Sequence, residues 1–221
     1  MVDIFDEVDE ELRADRAQDL LKRYGGLIIA AACAVVLFAA GWQGWHWWQT
    51  KQDQATASSF LAAMRLADAL PPDSDAGRRA PAIADFQTLA AASPAGYRSL
   101  ARLREAGLQA DAGDLAGAST IWDQVAGDQT VDPLLRDLAV LVSSLRLLDT
   151  ADPALLAARL KPLTGADNPW RPLAEEQLAL LDLRQGRTDQ AKETLRRLAQ
   201  DIAAPTGVRN RAGGLLARLG G

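Results

Sequence analysis

The sequence predicts an all-α protein, an N-terminal transmembrane helix followed by an α-solenoid of about four helical hairpins. Three observations predict it. Alanine and leucine dominate while Val, Ile, Thr, Tyr and Phe are sparse outside one apolar segment, which favours helices over strands on propensity. No Asp, Glu, Lys or Arg stands between Tyr24 and Thr50. The stretch opening at Arg98 aligns with the stretch opening at Arg171, with Gly113 matching Gly186 and Ala118 matching Ala191, both at an offset of 73 positions. A chain of 221 residues has room for one medium domain and an anchor, which argues against a fusion of two enzymes.

Residues 1–24 read as a cytoplasmic amphipathic segment. Ile4, Val8 and Leu12 share one helical face, and the acids and bases lie mostly on the others. Eight acids against Arg13, Arg16, Lys22 and Arg23 give this segment −4 of the chain's formal charge of −5. It either binds a cytoplasmic partner or lies against the membrane surface, and its acids oppose attraction to anionic lipid. The nearly neutral remainder has no basic stripe, so it lacks the electrostatic footprint of a nucleic-acid partner.

Residues 25–48 read as a transmembrane helix. The run GGLIIAAACAVVLFAAGW is continuously apolar or small. At a rise of ~1.5 Å per residue the uncharged stretch exceeds the ~30 Å of a hydrocarbon core. Trp42, Trp45, Trp47 and Trp48 crowd one end and Tyr24 stands at the other, as amphipathic rings do at the headgroups of a lipid bilayer; a ligand platform is the lesser reading. Four bases precede the span and only Lys51 closely follows it, which keeps the N-terminus in the cytoplasm. Bulky residues after Gly41 leave no small-residue cleavage site, so the span stays attached. Cys33, the sole cysteine, excludes an intramolecular disulfide and does not distinguish the redox compartment. Gly26, Ala30 and Ala34 recur at four-residue spacing and form a flat face that either docks another transmembrane helix or simply meets lipid.

Residues 49–221 read as an extracytoplasmic helical-repeat domain. The offset of 73 corresponds to two units of about 36, close to the ~34-residue period of stacked helical hairpins. The first hairpin pairs residues 55–70 with a helix opening at Pro81, across a turn from Pro71 to Gly77. The second is the stretch from Arg98 to Gly127. The third opens at Pro133, turns at Asp149 to Pro153 and closes with ALLAARLKPL. The fourth is the stretch from Arg171 to Gln200, and a last helix near Val208–Leu219 caps the stack. Each hairpin carries an apolar stripe it cannot bury alone, and small residues such as Ala106, Ala110 and Ala118 allow neighbours to approach. Gly113 and Gly186 permit the tight turn, because glycine accepts left-handed backbone.

Hairpins with a Leu-rich first helix, a Gly-Asp or Gly-Arg-Thr-Asp turn and an Ala-containing second helix resemble tetratricopeptide repeats. The acidic stub ending KRYG, the span ending in tryptophans and about four such hairpins together resemble the bacterial YfgM-like family, the ancillary subunit of the SecYEG translocon. The resemblance covers nearly the whole chain. It implies a single-pass protein of the bacterial cell inner membrane with a periplasmic C-terminal domain. Its implied partners are Sec translocon subunits, exported clients or periplasmic chaperones.

The chemistry of an enzyme is missing. The only histidine, His46, sits beside the tryptophans, so the repeat domain has no histidine to act as a general base. No metal-ligand cluster and no phosphate-cradling or dinucleotide glycine motif is present, and neither a cofactor nor a small-molecule substrate is expected. The adjacent Glu175 and Glu176 read as a solvated face rather than an acid/base pair. The expected function is therefore a membrane-tethered, protein-binding adaptor of chaperone type. Its alternative is a structural scaffold subunit of another envelope complex, such as cell-division or peptidoglycan machinery. Arg98, Arg102 and Gln109, on the first helix of the second hairpin, are the candidate groove residues.

Overall fold

The computed structural model describes residues 4–71 and 73–220, and among them helices and turns account for all regular structure, with no strand. The chain divides into two compact units, Met1–Ala55 and Thr56–Gly221.

The described residues of the first unit lie within helix α1 (Ile4–Asp68). The side chains of Ile4, Val8, Leu12 and Tyr24, which carry the predicted amphipathic face and inner anchor, lie outside the described ones. Among the described residues no helix is long and apolar enough to cross a membrane. Leu27, Ile28, Ile29, Ala31 and Ala32, inside the predicted span, also have side chains outside those described. Val35, Val36, Leu37 and Phe38 are 66–72% exposed, and Trp42, Trp45, Trp47 and Trp48 are all more than half exposed. Phe38 stacks on Trp42, Trp45 tilts against Trp48, and the Lys51 ammonium sits 4.1 Å from the Trp47 ring centre.

In the second unit the last turns of α1 are followed by α2 (Ala76–Ala92), α3 (Ala95–Asp111), α4 (Leu115–Gly127), α5 (Pro133–Arg146), α6 (Pro153–Leu160), a 3₁₀ turn (Lys161–Thr164), α7 (Arg171–Arg184), α8 (Thr188–Gln200) and α9 (Thr206–Arg218). Four aspartates start four of these helices. Asp75, Asp114, Asp132 and Asp152 accept from the backbone N–H of Arg78, Gly117, Leu134 and Ala154 at 2.8–2.9 Å, satisfying donors that have no partner inside the helix. Gly113 (φ +93°) and Gly186 (φ +76°) both occupy the left-handed region that the repeat alignment requires of them.

Two elements differ from the sequence expectation. Helix α2 begins at Ala76, one turn ahead of Pro81, because Asp75 caps it there and a proline this near the start removes little more than one backbone bond. The predicted ALLAARLKPL helix stops at Leu160 and tightens into the 3₁₀ turn, where Pro162 offers no N–H to continue the α ladder.

The buried side chains fall into a series of clusters with one logic. Ala63, Ala67, Phe86, Ala101 and Leu108 join α1, α2 and α3. Ala106, Ala118, Trp122, Val125 and Ala139 join α3, α4 and α5. Leu141, Leu156, Leu160, Ala174 and Leu181 join α5, α6 and α7. Ala179, Ala191, Leu195, Leu198, Val208 and Ala212 join α7, α8 and α9. Each cluster thus takes both helices of a hairpin and the first helix of the next, so no hairpin buries its apolar stripe alone. Alanines fully buried at positions such as 106, 118 and 139 bring the backbones close, and the bulk comes from Phe86, Trp122 and leucines.

Polar rungs repeat the period. Arg104 pairs with Asp68, Arg159 with Asp123, Gln177 with the Leu141 carbonyl and Arg184 with the Leu148 carbonyl, each at a separation of 36 residues. Arg146 reaches Asp111 at 2.7 Å and Arg211 reaches Glu176 at 2.6 Å, completing the series.

Candidate functional site

The second unit has its apolar openings along its first helices. Between the N-terminal ends of α3 and α5, Tyr97, Leu100, Leu134 and Leu135 line a depression of about 500 Å³ with Asp132 at its edge. A larger cavity of about 820 Å³ opens between α5, α7 and α9, walled by Leu145, Leu173, Leu180 and Leu215. Its polar groups are Glu176, Gln177, Arg211 and Arg218, and Gly214 contributes bare backbone. A third, polar depression of about 320 Å³ holds Asp68, Arg79, Arg104 and Asp111, whose charges pair with one another.

The electrostatics of the large cavity centre on one pair. Arg211 donates through Nε and Nη2 to both oxygens of Glu176, at 2.7 and 2.6 Å. The Glu176 side chain is only 8% exposed while Arg211 is half exposed, so the arginine reaches in from the rim. This bidentate bond holds the Arg211 proton more firmly than usual. The reading of Glu175 and Glu176 as a solvated face fails at Glu176, which faces α9; Glu175 bonds Arg197 on α8 at 3.2 Å. Gln177, beside the pair, donates to the Leu141 carbonyl at 3.0 Å, and its Oε1 has no hydrogen-bond partner.

Arg98, Arg102 and Gln109 do not line these openings. The stripe of α3 that does is Tyr97, Leu100, Arg104, Leu108 and Asp111, roughly a third of a turn away. Arg98 donates to the Ser93 carbonyl and Arg102 lies 3.8 Å from Asp128. Asp128 is held below the usual carboxylate range, first by hydrogen bonds from the Thr130 side chain and backbone and then by the charges of Arg102 and Arg98. Gln109 donates to Glu105, which also accepts from Gln87 of α2. Burial pushes the Glu105 carboxyl above its ordinary range, against the opposing pull of Gln87 and Arg102. The structure therefore brings these three residues to the side of α3 that faces α2 and the end of α4. The Glu176–Arg211 pair escaped the sequence reading, though a signal existed: oppositely charged residues 35 or 36 positions apart recur at Asp68/Arg104, Asp111/Arg146, Asp123/Arg159 and Glu176/Arg211.

Gly26, Ala30 and Ala34 are exposed on α1, and at Gly26 a Cβ would meet nothing within 4 Å. Among the described residues no group of three His, Cys, Asp or Glu side chains is placed to hold a metal ion.

Comparison with known families matches the tetratricopeptide repeat-like domain to residues 18–151, more than half of the chain. The chain belongs to that family. The match takes in the apolar segment, the first two hairpins and the first helix of the third, while α6, the fourth hairpin and α9 continue the same pattern beyond it. No curated protein and no solved structure matches. Tetratricopeptide repeat-like domains are generally non-catalytic modules that bind other proteins, and a stack with apolar openings along its first helices fits that use.

Proposed function

We propose that this tetratricopeptide-like protein is a membrane-tethered adaptor of chaperone type. On this reading residues 25–48 cross the bacterial inner membrane, the N-terminus is cytoplasmic, and the repeat unit handles exported proteins in the periplasm beside the Sec translocon. The observation that carries the protein-binding part is the apolar lining of the openings along α3, α5, α7 and α9, with polar groups confined to a few positions. Tethering is supported by the absence of charge between Tyr24 and Thr50 and by the excess of bases on its N-terminal side. The wide exposure of Val35 to Phe38 and of the four tryptophans adds to this, since so many apolar side chains in one stretch need a cover. The translocon enters through the resemblance to the YfgM-like family.

In-vivo photocrosslinking from a probe at Ala34, on the small-residue face, tests the reading. A crosslinked translocon subunit is the expected result. A different single partner would move the assignment to a scaffold of another envelope complex such as cell-division or peptidoglycan machinery, and self-crosslinks alone would make the chain a homodimer.

A further inference from the structure

The large cavity has a feature that the packing of the chain does not account for. Gly213 and Gly214 sit side by side in the interior of α9, where glycine is the poorest helix former after proline. A Cβ built on either would meet nothing within 4 Å, so no neighbour in the chain requires their smallness. Gly214 lines the cavity and Gly213 does not. The missing methyl at Gly214 leaves the α9 backbone bare where Leu145, Leu173, Leu180 and Leu215 supply apolar walls.

Two further observations describe what fits. Gln177, on the cavity wall, is 4% exposed and its amide nitrogen is bonded to the Leu141 carbonyl, so it offers an occupant little polar surface and leaves the interior apolar. At the mouth the charge of Arg211 is balanced by Glu176, whereas Arg218 has no acidic partner among the described residues, which leaves the mouth positive. The cavity is thus apolar within and complementary to an anion at its rim.

We propose that this cavity seats one bulky apolar side chain from an extended segment of a partner protein, packed on the bare backbone of Gly214, with acidic residues just after it meeting Arg218. The proposal rests on the reading of the repeat unit as a protein-binding module and names the chemistry of its occupant.

The test uses the full chain and fluorescence polarisation with a fluorescein-labelled peptide carrying Leu-Asp-Asp in a Gly/Ser frame. Versions with Leu replaced by Ser, or both Asp by Lys, serve as comparisons. Wild type is expected to bind the Leu-Asp-Asp peptide saturably and each altered peptide at least about ten-fold more weakly. Gly214→Ala is expected to raise Tm by about 2–4 °C and yet to weaken binding about ten-fold, while Gly213→Ala raises Tm similarly and leaves binding alone. Arg218→Asp, an exposed change that the fold tolerates, should shift preference to the Lys peptide. The proposal is overturned by absence of saturable binding to wild type, by equal binding of the three peptides, or by unchanged binding in Gly214→Ala. Should any of these occur while the Ala34 crosslinks to a translocon subunit persist, the cavity assignment falls and the adaptor reading stands.

Discussion

In the second hairpin the turn between the helices closes on its own backbone around a glycine, whereas in the third the backbone bonds of the turn, from Thr150 and Ala151 to the Leu147 carbonyl, are joined by a side chain from the next hairpin. Around Gly113 the N–H groups of Ala112, Gly113 and Asp114 donate back to the carbonyls of Leu108, Ala110 and Gln109. The left-handed glycine makes this possible, and Gly186 repeats it in the fourth hairpin. The third turn has no glycine. Its carbonyls at Leu148 and Ala151 are taken by the Arg184 guanidinium of α7, at 2.7 and 2.6 Å. A helix end needs partners for its last carbonyls, and the protein supplies them from within the turn in one case and from the turn together with the neighbouring repeat in the other. The third hairpin therefore depends on the fourth in a way that the second does not depend on the third.

The sharpest way to break this comparison is through the second helices. Helix α4 has 13 residues around the fully buried Trp122, and α6 has only 8 around Leu156. Trp122→Ala should cost about 3–5 kcal/mol and Leu156→Ala about 2–5 kcal/mol in urea unfolding of the full chain. A larger loss at Leu156 would mean that the short helix carries more of the stack than its length implies. Next come the turns themselves. Gly113→Val forces a β-branched residue to positive φ and should cost about 1–2 kcal/mol or more, while Thr150→Val in the third turn should stay within about 0.5 kcal/mol. Equal costs would dissolve the distinction between the turns.

A smaller effect addresses the borrowed cap. Arg184→Ala should lower stability by about 1 kcal/mol, since the guanidinium is exposed but bonds two carbonyls. Amide exchange should quicken between Ala151 and Leu156 and remain unchanged around Gly113. Arg184→Lys should recover much of the loss, because both bonds leave the single nitrogen Nη1 and an ammonium also carries enough N–H donors for two carbonyls. The smallest effect concerns Glu105, whose carboxyl is raised by burial. Its protonated form is favoured in the folded chain, so the stability linked to it is present below the ordinary carboxylate range and is lost as pH rises through the raised value. Glu105→Gln should flatten that slope in urea titrations between acid and neutral pH, and an unchanged slope would place the titrating group elsewhere.

Much of the repeat unit is legible from residues with one physical meaning. Gly113 and Gly186 mark turns because a positive φ leaves little alternative, and Asp132-Pro133 marks a helix start because the aspartate caps and the proline needs no donor. Pro81 was less informative, since a proline one turn into a helix looks the same in sequence as one at its first position. Arg98, Arg102 and Gln109 show the limit on the site. A polar residue on an amphipathic helix looks alike whether it faces an opening or caps a neighbour, and the difference here rests on Ser93, Asp128 and Glu105. The cavity residues were hidden because Glu176, Arg211 and Gly214 belong to two helices that the chain brings together only through the stack.

Three of the rungs between the third and fourth hairpins end on main-chain oxygen, and another, from the Asn168 amide, ends on the Asp137 carboxylate at 2.8 Å. Trp170 donates to the Leu134 carbonyl, Gln177 to that of Leu141 and Arg184 to that of Leu148. Every residue type offers a carbonyl, so these three bonds place no demand of their own on the accepting side chains, whose identity is set instead by packing, as at Leu141 in the core and Leu134 in the apolar depression. The rungs Asp68–Arg104, Asp111–Arg146 and Asp123–Arg159 instead need a charged side chain at both ends. For the rungs themselves, substituting Trp170, Gln177 or Arg184 should therefore cost the bond, while substituting its acceptor costs only packing. Either end of an ion-pair rung should matter alike and by no more than about 1 kcal/mol, a contrast that a saturation mutagenesis scan of the interfaces would display directly.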